Sequence, residues 1–178
     1  MPNWCSNHIV IEGPTDKVEA IWSKATDESN DGFLSALHPI GPWDYHKAVD
    51  EWGTKWDVSI HDSNLQIEKV DETTSAIVGY FESAWSPPLD AVANYELENE
   101  DVNINLSYYE PANDFIGSNQ YGDFSVYDQP RSFWTDDDIG MELDETFEVL
   151  DMLDEHREEL EEEHYDDDTL VDPEQLPQ

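Results

Sequence analysis

Val102-Asn103-Ile104-Asn105-Leu106-Ser107-Tyr108 alternates apolar and polar side chains without a break. A period of two sends successive side chains to opposite faces, so the segment reads as a β-strand with one face on a core. Near the N-terminus, Asn7-His8-Ile9-Val10-Ile11 is β-branched and stops at Glu12-Gly13-Pro14, a strand and then a turn. Residues 56–60 alternate, 65–70 nearly do, and 75–81 form a further strand candidate; residues 121–127 add one more.

Helical signals fall between these strands. Thr15 is placed to cap a helix carrying Val18, Ile21 and Trp22 at spacings of three and four. Residues 26–32 are a polar break, and Phe33-Leu34-Ser35-Ala36-Leu37 is a short apolar patch running into Pro39. Residues 46–52 suit a turn or two of helix before Gly53. Ser86-Pro87-Pro88 restarts the chain, since proline suits a first helical turn, and Leu89, Val92 and Ala93 give the next helix an apolar face. Strand, helix, strands, helix, strand is the order of an α+β fold with helices on one face of an antiparallel sheet. A ferredoxin-like βαββαβ arrangement over residues 1–130 fits most economically.

Charge sets the rest apart. The 178 residues carry 44 Asp and Glu against seven Lys and Arg, a formal net charge of −37. Residues 1–135 hold 24 acids and six bases; residues 136–178 hold 20 acids and Arg157 alone. Thr135-Asp136-Asp137-Asp138 has the spacing of a capping box, and Leu143, Phe147, Leu150, Leu153 and Leu160 then recur on one helical stripe. Glu145, Glu148, Asp151, Glu155, Glu158, Glu159 and Glu162 cover the remaining surface of that helix, and Asp166-Asp167-Asp168 and Pro173 mark a frayed end. Residues 131–178 are thus expected to be an acidic amphipathic helix and tail, its stripe packed on the domain or on a second copy in a homodimer.

Seven Trp, eight Tyr and six Phe suffice for a core despite the charge. A single cysteine, Cys5, excludes an internal disulfide framework and fits a reducing cytoplasm. The opening residues lack the basic and apolar regions of a secretory signal, and no long apolar run suggests a membrane span.

Four segments carry a further pattern. Pro2-Asn3-Trp4-Cys5-Ser6-Asn7 precedes a strand, Trp52-Gly53-Thr54-Lys55-Trp56-Asp57 follows a short helix, and Phe81-Glu82-Ser83-Ala84-Trp85-Ser86-Pro87-Pro88 ends a strand. Tyr108-Tyr109-Glu110-Pro111, followed by Phe115-Ile116-Gly117, completes the set. In order and wording these segments resemble the YubB-type ferredoxin-like domain, a family of phage and plasmid proteins without an established activity. The resemblance covers roughly residues 1–130. It implies a ferredoxin-like fold and a mobile-element origin, and marks Trp4, Cys5, Asn7, Trp52, Gly53, Lys55, Trp56, Trp85, Pro87, Pro88, Tyr109, Glu110 and Gly117 as motif positions. A fold of this kind does not dictate a function.

Trp4, Trp52, Trp56 and Trp85 could stack on bases, but base-stacking sites sit in positive grooves and this chain has few cations. The alternative places them in the core and at loop corners, with Lys55 over a ring. Cys5 with His8, His38, His46 or His61 lacks any local nucleophile pattern, and buried structural cysteines are commoner. His156 and His164 are eight apart, unlike a helical zinc pair, and neither Asp triplet has the alternation and glycine of a calcium loop. No phosphate loop, catalytic triad order or paired-cysteine zinc motif is present, so neither cofactor nor metal is expected.

The acidity has three readings: a solvated face, adaptation to high salt, and mimicry of DNA. Residues 136–168 hold 18 acids and one base, ~0.34 charge per Å if wholly helical at ~1.5 Å per residue, against one charge per ~1.7 Å in duplex DNA. The expectation is a non-enzymatic phage protein. It would bind no nucleic acid and no membrane, but occupy the DNA groove of a basic host protein through Asp136, Asp137, Asp138, Glu145, Glu148, Asp151, Glu155, Glu158, Glu159, Glu162, Asp166, Asp167 and Asp168. The alternatives are a nucleotide- or RNA-binding module using the Trp motifs, with an acidic regulatory arm, and a small hydrolase or transferase.

Overall fold

A computed structural model describes residues 3–27, 29, 32–124 and 138–168, with side chains described as far as residue 159. The chain divides into two compact units, residues 1–130 and 131–178.

The first unit is α+β, built on a six-stranded, wholly antiparallel sheet. Its elements in chain order are β1 (Trp4–Pro14), α1 (Thr15–Ala25), α2 (Phe33–Leu37), α3 (Tyr45–Trp52), β2 (Gln66–Lys69), β3 (Thr74–Ala84), α4 (Leu89–Glu98), β4 (Asn103–Glu110), β5 (Phe115–Ser118) and β6 (Gly122–Phe124). The strands lie side by side as β2-β3-β1-β4-β5-β6. The long central strand β1 pairs along its whole length with β3, Trp4 opposite Ala84 and Pro14 opposite Thr74, and with β4, Ser6 opposite Tyr109.

Alternation along β1 decides which face is covered. Cys5, Asn7, Ile9, Ile11 and Gly13 are buried, whereas Ser6, His8, Val10 and Glu12 stand on the opposite, more open face. Ile9 and Ile11 join Ile77, Ile104, Leu106 and Tyr108 from neighbouring strands, with Val18 and Ile21 of α1, Phe33 and Leu34 of α2, Trp52 of α3 and Val92 of α4 above them. The expected order of helices and strands therefore stands, and the unbroken alternation of residues 102–108 belongs to β4.

Several local expectations are corrected. Residues 56–60 make no strand, and the segment runs at Ile60 into a single 3-10 turn, Ile60–Asp62. The carboxylate of Asp57 instead accepts the backbone N–H groups of Leu34 (2.6 Å), Ser35 (3.0 Å) and Val58 (2.7 Å). It satisfies the first turn of α2, which has no side-chain cap of its own, and that demand outweighs a strand ladder. Thr15 does not cap α1: it is the first helical residue, and its hydroxyl lies 3.0 Å from that of Ser75. Asp44 caps α3 by accepting from Lys47 N–H at 3.1 Å. Residues 115–118 form a strand that alternation did not signal, because four residues are too short to display a period. Of residues 121–127, the first four are described and Gly122–Phe124 are a strand.

The second unit holds two helices, α5 (Asp138–Phe147) and α6 (Val149–Asp168), where the sequence suggested one. Glu148 breaks them with a left-handed φ of 53°. Its N–H still donates to Asp144 C=O at 2.7 Å, while the Asp144 carboxylate accepts from Leu150 N–H at 2.9 Å and caps the new helix. The break changes the register of the apolar stripe. Leu143 and Val149 are the buried positions, Phe147, Leu150 and Leu153 are partly buried, and the Leu160 side chain lies outside the described residues. Thr135, Asp136 and Asp137 also lie outside them, so the capping box is not described. No helix among the described residues is long and apolar enough to cross a membrane.

Candidate functional site

The motif segments converge at one corner of the first unit, where β1 begins, β3 and β4 end, and the chain leaves α3. Asn7, fully buried, anchors the corner: its Nδ2 donates to Cys5 C=O (2.7 Å), Phe81 C=O (3.3 Å) and Ser83 Oγ (2.8 Å). Two of those partners are carbonyls that only accept, which fixes the orientation of the amide. Ser83 Oγ passes a bond to Ser86 C=O (2.8 Å), and Ser86 Oγ donates to Gly53 C=O (2.5 Å). Thr54 Oγ1 returns to Ala84 C=O (2.9 Å). Gly53, at φ 82°, ends α3 in the left-handed region that favours glycine. Pro87 and Pro88 are buried beside it, leading into α4.

The fourth segment flanks β1 on the other side, through pairing of β4 with Ser6 and Asn7. Glu110, buried, folds its carboxylate over the turn after β4, accepting from Ala112 and Asn113 N–H. A Cβ on Gly117 would stand 2.2 Å from Gly122 C=O, so the β5–β6 hairpin needs that bare backbone. Tyr109 is buried.

Cys5 lies inside the corner. It is fully buried, and burial pushes its thiol well above the ordinary range, the Glu110 and Glu82 carboxylates adding to the effect and a hydrogen bond with Ser83 opposing it. His8 is three positions along the same strand and therefore on the other sheet face, packed on Tyr80 at 4.6 Å. Alkylation of Cys5 by iodoacetamide at pH 8 is expected to run at least about a hundredfold slower in the native chain than in urea; equal rates would place the thiol at the surface.

The exposed part of the corner is aromatic. Trp4, Trp43, Trp56 and Trp85 are each 36–54% exposed, whereas Trp52, expected among the stacking candidates, is a core residue at 2%. Lys55 Nζ lies 4.3 Å from the Trp56 ring centroid and 4.7 Å from that of Trp85, between the two indoles. Trp4 extends the wall, 6.2 Å from Trp56, and Trp43 donates its indole N–H to Lys55 C=O at 3.1 Å. Trp85 is held at φ 73°, a strained conformation for so bulky a residue, with its N–H on Asn3 C=O at 2.9 Å. Trp4 also lines a cavity of about 490 Å³, bounded further by Asp57, Val58, Ser59, Asp62 and Glu82. Burial raises Asp57 above the usual carboxylate range, its hydrogen bonds opposing the shift. Trp43 escaped the sequence reading because it stands outside the four segments, in an irregular stretch.

In the second unit the side chains of Asp138, Glu145, Glu148, Asp151, Glu155, Glu158 and Glu159 are exposed. Glu162, Asp166, Asp167 and Asp168 belong to the backbone of α6, their side chains lying outside the described residues. Arg157 pairs with Asp154 at 3.4 Å, within the helix. Among the described residues no group of three His, Cys, Asp or Glu could hold a metal ion. The chain matches no family model, no curated protein and no solved structure.

Proposed function

We propose that this chain is a non-enzymatic DNA mimic, a ferredoxin-like domain of the YubB type from a phage or similar element, acting in the host cytoplasm on a basic DNA-binding protein. One observation carries the reading. The sequence of helix α6 holds eleven acids against one base over 20 residues, or about 30 Å of axis at ~1.5 Å per residue. Its ~0.33 net charge per Å is more than half that of a duplex. Asp151, Glu155 and Glu159 follow one another at intervals of four, ~5–6 Å apart along a single face. The left-handed kink at Glu148 bends this charge out of one straight rod, so the ladder is α6 rather than the whole of residues 136–168.

The converging motifs and the β2-β3-β1-β4 order of the βαββαβ core support the fold assignment. The exposed tryptophans favour a second reading, a nucleotide- or RNA-binding module. The carboxylates around the adjoining cavity oppose a phosphate there, so mimicry is preferred.

The test is capture of basic host proteins on the immobilised full chain and their release by duplex DNA. Release by DNA, with capture falling at least about tenfold between 50 and 200 mM salt, and its loss when Asp151, Glu155, Glu158 and Glu159 become Asn or Gln, is the expected pattern. Capture indifferent to DNA and to the four substitutions overturns the reading. Salt acts in the opposite sense on the free protein: screening of the −37 charge raises its Tm.

A further inference from the structure

We propose that the slot between Trp56 and Trp85 is a receptor for a guanidinium group, an arginine of the basic partner, and that Lys55 is a resident plug which this arginine displaces. The inference rests on the reading of the partner as a basic protein, and adds a second contact whose chemistry differs from diffuse charge.

Three independent features converge on it. First, the slot already holds a cation: Lys55 Nζ sits within 5 Å of both ring centroids. At half-exposed rings such a contact is weak and readily exchanged, and a planar guanidinium stacks between indoles better than a compact ammonium does. Second, Trp4, whose ring lies 6.2 Å from that of Trp56, also lines a cavity whose other walls include Asp57, Asp62 and Glu82, the charge a guanidinium seeks. Glu82 accepts the Ser6 hydroxyl on Oε1 at 2.7 Å, and Asp62 is an exposed residue of the same lining. The same carboxylates repel a nucleotide phosphate. About 490 Å³ is ample for an arginine side chain and the backbone that carries it.

Third, Trp85 carries its partly exposed indole on a strained backbone. A left-handed φ of 73° is awkward for tryptophan, and the ring remains 41% exposed. A glycine would fit this position without strain, so the conformation serves the placement of the ring rather than stability.

The probe is the peptide acetyl-Gly-Arg-Gly-Arg-Gly-Arg-Gly-amide, with its lysine counterpart, titrated into the full chain. The readouts are tryptophan fluorescence and the indole N–H resonances. The arginine peptide is expected to move the Trp56 and Trp85 indole signals and to bind more tightly than the lysine peptide. Trp85→Gly, which removes the ring while relieving the backbone, should weaken arginine-peptide binding about fivefold, the scale of one cation–π contact. Trp56→Leu should do the same, and Lys55→Ala, by emptying the slot, should strengthen it. Indole signals that stay still, or an arginine-peptide affinity unchanged by all three substitutions, overturn the proposal, the peptide then being held by diffuse charge alone. Failure of the mimicry reading looks different: neutralising Asp151, Glu155, Glu158 and Glu159 leaves DNA-releasable capture intact, while the indole shifts with the peptide persist.

Discussion

Trp52→Ala is expected to lower the unfolding free energy by about 3–5 kcal/mol and Tm by about 10–20 °C, read from urea and thermal melts of the full chain. Trp52 closes α3 at 2% exposure and is among the largest fully buried side chains. Its removal leaves a void in the core cluster that it shares with Phe33, Leu34 and Ala48, and close packing lets such a void be only partly refilled. The indole N–H also donates to His38 C=O at 2.7 Å, tying α3 to the end of α2. Trp52→Phe separates the two contributions: it keeps most of the apolar volume and loses the hydrogen bond, which is worth about 1 kcal/mol. A domain of this size has about 5–15 kcal/mol in hand, and self-repulsion at −37 draws on it. The alanine variant therefore stands near the edge of folding at low salt and regains ground when salt is added. A loss below about 1 kcal/mol for Trp52→Ala would remove Trp52 from the core.

Where the sequence was legible, the reason is periodicity backed by burial. β1 shows its alternation because one face is covered and the other is more open, the first residues of β4 do so for the same reason, Asn103 and Asn105 standing opposite buried Ile104 and Leu106, and α1 shows its spacing because Val18, Ile21 and Ala25 alone are buried. Where it was not, a long-range partner decided. Residues 56–60 alternate as well as any strand, yet nothing in their own pattern discloses that α2, more than twenty residues earlier, needs the Asp57 carboxylate. Phe33–Leu37 read as a patch rather than a helix because its cap comes from outside it. The stripe Leu143, Phe147, Leu150 and Leu153 suits a continuous helix, and the break at Glu148 depends on Asp144 capping α6, a choice that a pattern of apolar residues does not encode.

The candidate site divides along the same line. The sequence marked Trp4, Asn7, Gly53, Trp56 and Trp85 as motif positions, but disclosed neither that their segments meet at one corner nor what each residue does. Burial sorts them: Asn7, Ser83 and Thr54 are internal ties, Trp52 is core, and Trp4, Trp56 and Trp85 face outward around Lys55. The internal ties explain why an exposed aromatic group can be held rigid. Ser83–Ser86, Ser86–Gly53 and Thr54–Ala84 bonds join the two loops that carry Trp85 and Lys55-Trp56, so the slot between their rings is set by backbone rather than by the rings themselves.

That dependence makes Asn7→Asp the most informative substitution in the corner, because it keeps the shape and exchanges the donating NH2 for a carboxyl oxygen. In the native chain Asn7 Nδ2 faces three acceptors, and Oδ1 is buried without a hydrogen-bond partner among the described residues. An aspartate there has no hydrogen to give when ionised. It turns a negative oxygen toward Cys5 C=O, Phe81 C=O and Ser83 Oγ in a site closed to water, so its folded pKa must rise above the unfolded value of about 3.9. A carboxyl with a raised folded pKa is protonated in the native state while already ionised in the unfolded one. Stability is then highest below about pH 4 and falls as pH climbs toward the folded pKa, by about 1.4 kcal/mol for each unit between the two values. Asn7→Asp should thus lose little more than Asn7→Ala at pH 3.5 and at least about 3 kcal/mol more at pH 7. Wild-type melts at each pH cancel the titration of the other 44 carboxylates. The indole signals of Trp56 and Trp85 should broaden over the same pH range, as the ties beneath them give way. A difference between Asn7→Asp and wild type that stays constant from pH 3.5 to 7 would mean that water reaches the anchor, and that the corner is held together at its rim instead.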